Sequence, residues 1–253
     1  MKGSAVPALL PLLACLLTLP AAGAPLEGTT ARYPSGNETV EGYLVRPAAP
    51  GPFPAVIVIH EWWGLNDQVK EEAGKLAAAG YLALAVDLYR GRATADPEEA
   101  HELARGLPED RAQRDLLAAF DYLAARKDVR ADRIGSIGWC MGGGYSLAFA
   151  LAEPRLAAAA IYYGRLVTDE AALANLRAPV LGLFGDEDRG IPAAAVRAFQ
   201  AALERLAKPA AVHLYPGAGH AFANNTRPSY RAEAAADAWA KTLAFFDENL
   251  KRK

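Results

Sequence analysis

The chain has 253 residues, of which 52% are hydrophobic and 22% charged, and a formal net charge of −2. That is enough for one substantial core in a single α/β domain. The absence of any long basic or acidic block argues against nucleic acid or an anionic membrane surface as a partner.

The first segment reads as an export signal. Lys2 opens it, an apolar stretch runs from about Ala5 to Leu19, and Ala22-Gly23-Ala24 offers small residues for cleavage. The expected organisation is therefore a signal peptide over 1–24 and one domain over 25–253, exported to a periplasmic or extracellular space. The stretch is short and proline-interrupted for a membrane span. Leu12-Leu13-Ala14-Cys15 also resembles a lipoprotein box, so lipidation at Cys15 is the alternative ending and the one expected membrane contact. Removal of the signal leaves Cys140 as a lone thiol, so no intramolecular disulfide is expected.

Glu27 to Gly36 is polar and turn-rich and reads as a leader into a first strand at Thr39 to Arg46. After a Pro/Gly loop, Ala55 to Ile59 is a continuous apolar run that suits a strand covered on both faces. It ends in His60-Glu61-Trp62-Trp63-Gly64. Asp67 to Ala79 reads as a helix stopped by Gly80, and Tyr81 to Val86 as the next buried strand, followed by Asp87-Leu88-Tyr89-Arg90. Pro97 to Arg105 and Asp110 to Arg126 are helical in pattern, the second with Leu116, Leu117, Phe120 and Leu123 on its apolar face. Strands at Ile134–Ile137, Ala157–Tyr163, Pro179–Phe184 and Ala211–Tyr215 alternate with helices at Tyr145–Leu151, Pro192–Leu206 and Tyr230–Asn249. Such alternation predicts a mostly parallel, doubly wound sheet, with its ligand site at the carboxyl ends of the strands.

One turn concentrates the chemistry. In Gly138-Trp139-Cys140-Met141-Gly142 two glycines flank a thiol between a strand and a helix, which is the cysteine form of the nucleophile elbow. A thiol there sits at a helix N-terminus, where free N–H groups and the macrodipole favour a thiolate and can hold an oxyanion. Strand ends also carry Glu61, Asp186 or Asp188, and His220 in Gly217-Ala218-Gly219-His220. The chain order nucleophile, acid, histidine is that of α/β-hydrolases, in which the acid orients the histidine and the histidine serves the nucleophile. His60, His101 and His213 compete weakly for the base. No His/Cys/Asp/Glu spacing suits a metal and no cofactor fingerprint is present, so neither is expected.

These motifs, with Tyr162-Tyr163-Gly164 and Ile191-Pro192, resemble the dienelactone hydrolase family, the cysteine branch of the α/β-hydrolases, over about Thr29 to Leu250. The resemblance implies hydrolysis of an ester or lactone through an acyl-thioenzyme, with Cys140 as nucleophile, His220 as its partner and Asp188 as the orienting acid. It implies that Glu61 takes the thiol's proton as substrate arrives, and that the backbone N–H groups of Trp62 and Met141 form the oxyanion hole. In members acting on dienelactone, two arginines bind the substrate carboxylate. Here the first position falls at Gly91, beside Arg90, and the second at Asn224, so Arg90 and Asn224 are the expected substrate contacts, with Arg227 nearby. Asparagine carries no charge, which favours neutral acyl groups, as in a general carboxylesterase or thioesterase. A non-catalytic or thiol-sensing protein of the same fold is the rival from another class. A monomer acting on a small-molecule ester or lactone is expected.

Overall fold

The computed structural model describes residue 26 and residues 28–252; the expected signal peptide, its cleavage site and Cys15 lie outside the described residues. Eight strands form one sheet in the order β1-β2-β4-β3-β5-β6-β7-β8. They are β1 (Thr29–Ser35), β2 (Glu38–Val45), β3 (Phe53–Ile59), β4 (Leu82–Val86), β5 (Val129–Trp139), β6 (Ala158–Tyr162), β7 (Val180–Gly185) and β8 (Ala210–Tyr215). From β4 to β8 every pairing is parallel, while β2 runs antiparallel to both β1 and β4.

The helices are α1 (Asp67–Ala78), α2 (Pro97–Arg105), α3 (Glu109–Ala124), α4 (Met141–Ala152), the short α5 (Glu170–Leu173), α6 (Ala193–Arg205) and α7 (Ala232–Phe246), which continues into a π-helical turn over Asp247–Lys251. Phe120 of α3, Phe149 of α4 and Phe199 of α6 pack into one core layer, and Leu76 of α1 and Phe246 of α7 into the other. Covered on both faces, β3, β4, β6 and β7 are buried at every residue. That is why they read as unbroken apolar runs.

The segment expected to be a leader is the edge strand β1. Ala31, Tyr33 and Ser35 alternate inward against exposed neighbours, and Gly36, at φ +60°, makes the turn into β2. This period of two is the signature of a half-covered antiparallel strand. Ser35 conceals it, because its inward hydroxyl donates to the buried carboxylate of Asp115 at 2.6 Å. β5 likewise begins five residues earlier than its apolar run, since Arg130, Asp132 and Arg133 extend it beyond the core.

Candidate active site

Cys140 lies between the last residue of β5 and the first of α4, at φ 53° and ψ −115°. This is a costly conformation for a side chain with a Cβ, on the order of 1–3 kcal/mol, and it persists only where the surroundings impose it. The imposition is visible. The Cys140 N–H donates to the Tyr162 carbonyl at 3.0 Å, and its own carbonyl accepts from the Gly144 N–H at 3.2 Å. A Cβ on Gly142 would stand 2.2 Å from the Ile59 carbonyl oxygen, and one on Gly138 would stand 2.0 Å from that of Gly142. Only glycine lets α4 come this close to β3 and β5.

Loops after β7 and β8 bring the acid and the histidine together. Asp188 Oδ2 lies 2.7 Å from His220 Nδ1, and Asp188 Oδ1 accepts from the N–H groups of Gly190 and Ile191 at 2.8 and 3.0 Å. Asp186 has a different partner: it accepts from the Gly217 N–H at 2.8 Å and pins the loop that carries His220. Burial pushes the Asp188 carboxyl up, but the imidazole and the two backbone donors outweigh it and leave it below the usual carboxylate value. For His220, burial acts to lower the pKa. Asp188 on one side and Cys140 on the other reverse that effect and raise it to about 10. The site therefore stabilises an imidazolium beside the sulfur, a poise suited to transferring protons at that atom.

Glu61, at the end of β3, is 3% exposed. Its carboxylate accepts from Asn224 Nδ2 at 2.9 Å and from the Tyr163 hydroxyl at 3.3 Å. Burial raises its pKa, and these neutral donors, with the charges of His220 and Arg227, offset only part of the rise. Burial together with Glu61 drives the Tyr163 phenol far above its ordinary value, so it remains a donor. Trp62 and Met141 flank the thiol. Met141 N–H is the first of the unpaired donors at the start of α4. Trp62 N–H has no acceptor among the described residues.

A cavity of about 460 Å3 opens over these groups, lined by Glu61, Trp62, Trp63, Cys140, His220 and Arg227, with Ala221, Pro228 and Ser229 at its margin. Arg227 stacks on Trp63, its Cζ 3.6 Å from the ring centroid. Its Nε is buried without a partner among the described residues.

The two expected substrate contacts lie elsewhere. Arg90 pairs with Asp115 at 2.7 Å and Glu38 at 3.1 Å and is not among the residues that line the cavity. Asn224 is 2% exposed, and its amide is taken up by Glu61 and, through Oδ1, by the Thr226 N–H and hydroxyl. The cavity's cation is Arg227. The sequence placed Arg227 in the loop after His220 as a nearby candidate, but did not show its approach to the cavity, which depends on stacking against Trp63 across the fold. Tyr163 was visible only as part of a motif, without a role. Of the competing histidines, His60 is fully buried, His101 packs edge-on against Trp62 at 4.7 Å, and His213 lies half-buried on β8. Among the described residues no cluster of three or more His, Cys, Asp or Glu is arranged to hold a metal ion.

Comparison with known proteins agrees with this architecture. The dienelactone hydrolase family model matches residues 40–250. The chain belongs to the dienelactone hydrolase family. It is 34% identical over 229 residues to a "Putative carboxymethylenebutenolidase" of Methylorubrum extorquens, covering 85% of this chain and 79% of that one. Among solved structures it is similar to a "Putative Dienelactone Hydrolase" from Klebsiella pneumoniae, with a TM-score of 0.81, 34% identity, and 88% and 99% of the two chains covered. It is also similar to a dienelactone hydrolase-like promiscuous phosphotriesterase from metagenomic libraries, with a TM-score of 0.81, 26% identity, and 89% and 99% covered. As a member of this family, the protein is a hydrolase of ester or lactone bonds.

Proposed function

We propose that the enzyme cleaves compact esters or lactones through a covalent cycle on Cys140. The observation that carries this reading is the strained thiol at φ 53° facing an imidazole that is itself held by Asp188 at 2.7 Å. In the proposed cycle the Cys140 thiolate attacks the substrate carbonyl carbon, and the carbonyl oxygen, now anionic, takes hydrogen bonds from the N–H groups of Trp62 and Met141. Collapse of this intermediate expels the alkoxide, which takes a proton from the His220 imidazolium, and leaves a thioester. A water then gives a proton to His220 as it attacks the thioester carbonyl, and the carboxylic product departs with regeneration of the thiolate. Glu61, close to the same cavity and raised in pKa by burial, is suited to take the thiol's proton as substrate arrives.

Trp62 and Trp63 give the cavity flat apolar walls, and Arg227 supplies a guanidinium. A small unsaturated ring or acyl group fits the walls, and a carboxylate on it would meet Arg227. This replaces the preference for neutral substrates expected from Asn224, which is bound to Glu61. The test is Cys140→Ala, assayed on a panel of p-nitrophenyl esters and lactones. Turnover falls to background while the folded spectrum is retained. A variant that keeps near-normal kcat overturns the nucleophile assignment.

A further inference from the structure

We infer that His60 is a positioning residue for the oxyanion hole, acting through the Glu61–Trp62 peptide unit. The inference rests on the reading of Trp62 N–H as an oxyanion donor. His60 lies at the end of β3 with no solvent exposure. Its Nδ1 stands 2.5 Å from the Glu61 carbonyl oxygen, and its Nε2 stands 3.2 Å from the Leu88 backbone nitrogen. Each partner can play only one role. The Leu88 N–H only donates, so Nε2 carries the lone pair, and the Glu61 carbonyl only accepts, so Nδ1 carries the proton. One neutral tautomer satisfies both contacts, and burial, which lowers the pKa of His60, keeps the ring neutral.

The consequence follows from peptide geometry. A trans peptide is planar, with its C=O and N–H pointing to opposite sides. The carbonyl of Glu61 and the N–H of Trp62 belong to the same plane, so clamping the carbonyl against His60 turns the Trp62 N–H away from it, toward the side where Trp62 lines the cavity beside Cys140. A preorganised donor costs no reorientation when the oxyanion forms, which is the source of its catalytic value. The clamp is itself braced. Asp87 accepts from the N–H groups of Tyr89 at 3.0 Å and Gly91 at 2.5 Å, which fixes the turn that presents Leu88 N–H. The Tyr89 ring packs on His60 at 4.9 Å between centroids, and its hydroxyl donates to Met141 Sδ at 3.2 Å. The segment after β4 thus touches the supports of both proposed oxyanion donors. Among the described residues no hydrogen bond joins His60 or this segment to the Cys140 thiol, so the effect expected is on steps that build negative charge on a carbonyl oxygen.

The experiment compares two reactions of the same thiol in wild type, His60→Met and His60→Asn. Ester hydrolysis forms an oxyanion, whereas alkylation of Cys140 by iodoacetamide displaces iodide at a saturated carbon and forms none. Loss of one oxyanion donor costs roughly 100- to 1,000-fold in kcat, so a misdirected donor is expected to cost about 10- to 100-fold. His60→Met should show that loss in kcat with KM little changed and alkylation within about threefold of wild type. His60→Asn, which places a side-chain N–H near the Nδ1 position, should recover part of it. Parallel losses of hydrolysis and alkylation, or an unchanged kcat, would overturn the inference. Wild type that alkylates normally but hydrolyses no ester would instead overturn the functional reading beneath it. Should His60→Met fail to fold, the 15N resonances of His60 in the wild-type protein decide: a proton on Nδ1 at neutral pH supports the clamp, and a proton on Nε2 excludes it.

Discussion

Two buried carboxylates, Asp115 and Glu61, each sit in a polar cluster of their own. Asp115, on α3 with no solvent exposure, faces a charged partner: Arg90 Nη1 stands 2.7 Å from Oδ2, while Oδ1 accepts from Arg90 Nη2 at 3.1 Å and from the Ser35 hydroxyl at 2.6 Å. The cluster continues outward through Glu38 to Arg114. Glu61, 3% exposed, receives only the neutral donors Asn224 and Tyr163, and its pKa rises because burial is not compensated. A matched carboxylate holds the edge hairpin to α3. An undermatched one stays ready to accept a proton, which is the property a catalytic site needs. The same contrast separates the two arginines. Arg90 is consumed by an ion pair, while Arg227 keeps a buried Nε free of any partner among the described residues.

The largest expected effects separate the two clusters cleanly. His220→Ala should lower kcat by roughly 100- to 10,000-fold through loss of acid–base transfer, with little change in thermal stability. Asp115→Ala should do the reverse. Removing one partner of a buried ion pair costs about 3–5 kcal/mol, and the partial exposure of Arg90 places the loss near the lower end. Urea unfolding measures it, and kcat per folded enzyme should be unchanged. A large fall in that kcat would break the distinction between a structural and a catalytic cluster.

A smaller effect sharpens the contrast between the arginines. A charge-assisted hydrogen bond contributes roughly 1.5–3 kcal/mol, so Arg227→Leu should lower kcat/KM for carboxylate-bearing lactones by about one to two orders of magnitude. Neutral esters of similar size should change little, and Arg90→Ala should leave the ratio between the two substrate classes as it is. A collapse of that ratio in Arg90→Ala alone would return the substrate contact to Arg90.

The smallest effect lies in the pH dependence of stability. Because the folded pKa of Glu61 is raised above the ordinary value of 4.5, the native state holds a proton that the unfolded chain releases. Stability from this group is present below about that value and declines as pH rises toward the folded pKa. Glu61→Gln removes the dependence, so its stability relative to wild type should improve between pH 4 and pH 7, read as a shift in the urea midpoint. A constant difference across that range would overturn the raised pKa of Glu61.

The parallel part of the sheet and the glycine-flanked turn at Cys140 were legible in the sequence because their causes are local. Buried parallel strands must be apolar throughout, and a turn that brings a helix against two strands tolerates only glycine at positions 138 and 142. The order of Cys140, Asp188 and His220 along the chain was readable for the same reason, since each follows the end of its own strand. The β1 strand was not, because its inward Ser35 looks like a turn residue until Asp115, 80 positions away, is seen to accept its hydroxyl. The partners of Asn224, Arg90 and Arg227 were hidden for the same cause: Asn224 meets Glu61 across 163 positions, and whether a guanidinium faces an ion pair or a cavity depends on what the fold packs beside it. Backbone shape and residue order are short-range consequences of side-chain size and polarity. Which charge is compensated and which is left available was decided only by tertiary contacts, because an electrostatic partner is chosen by distance in space.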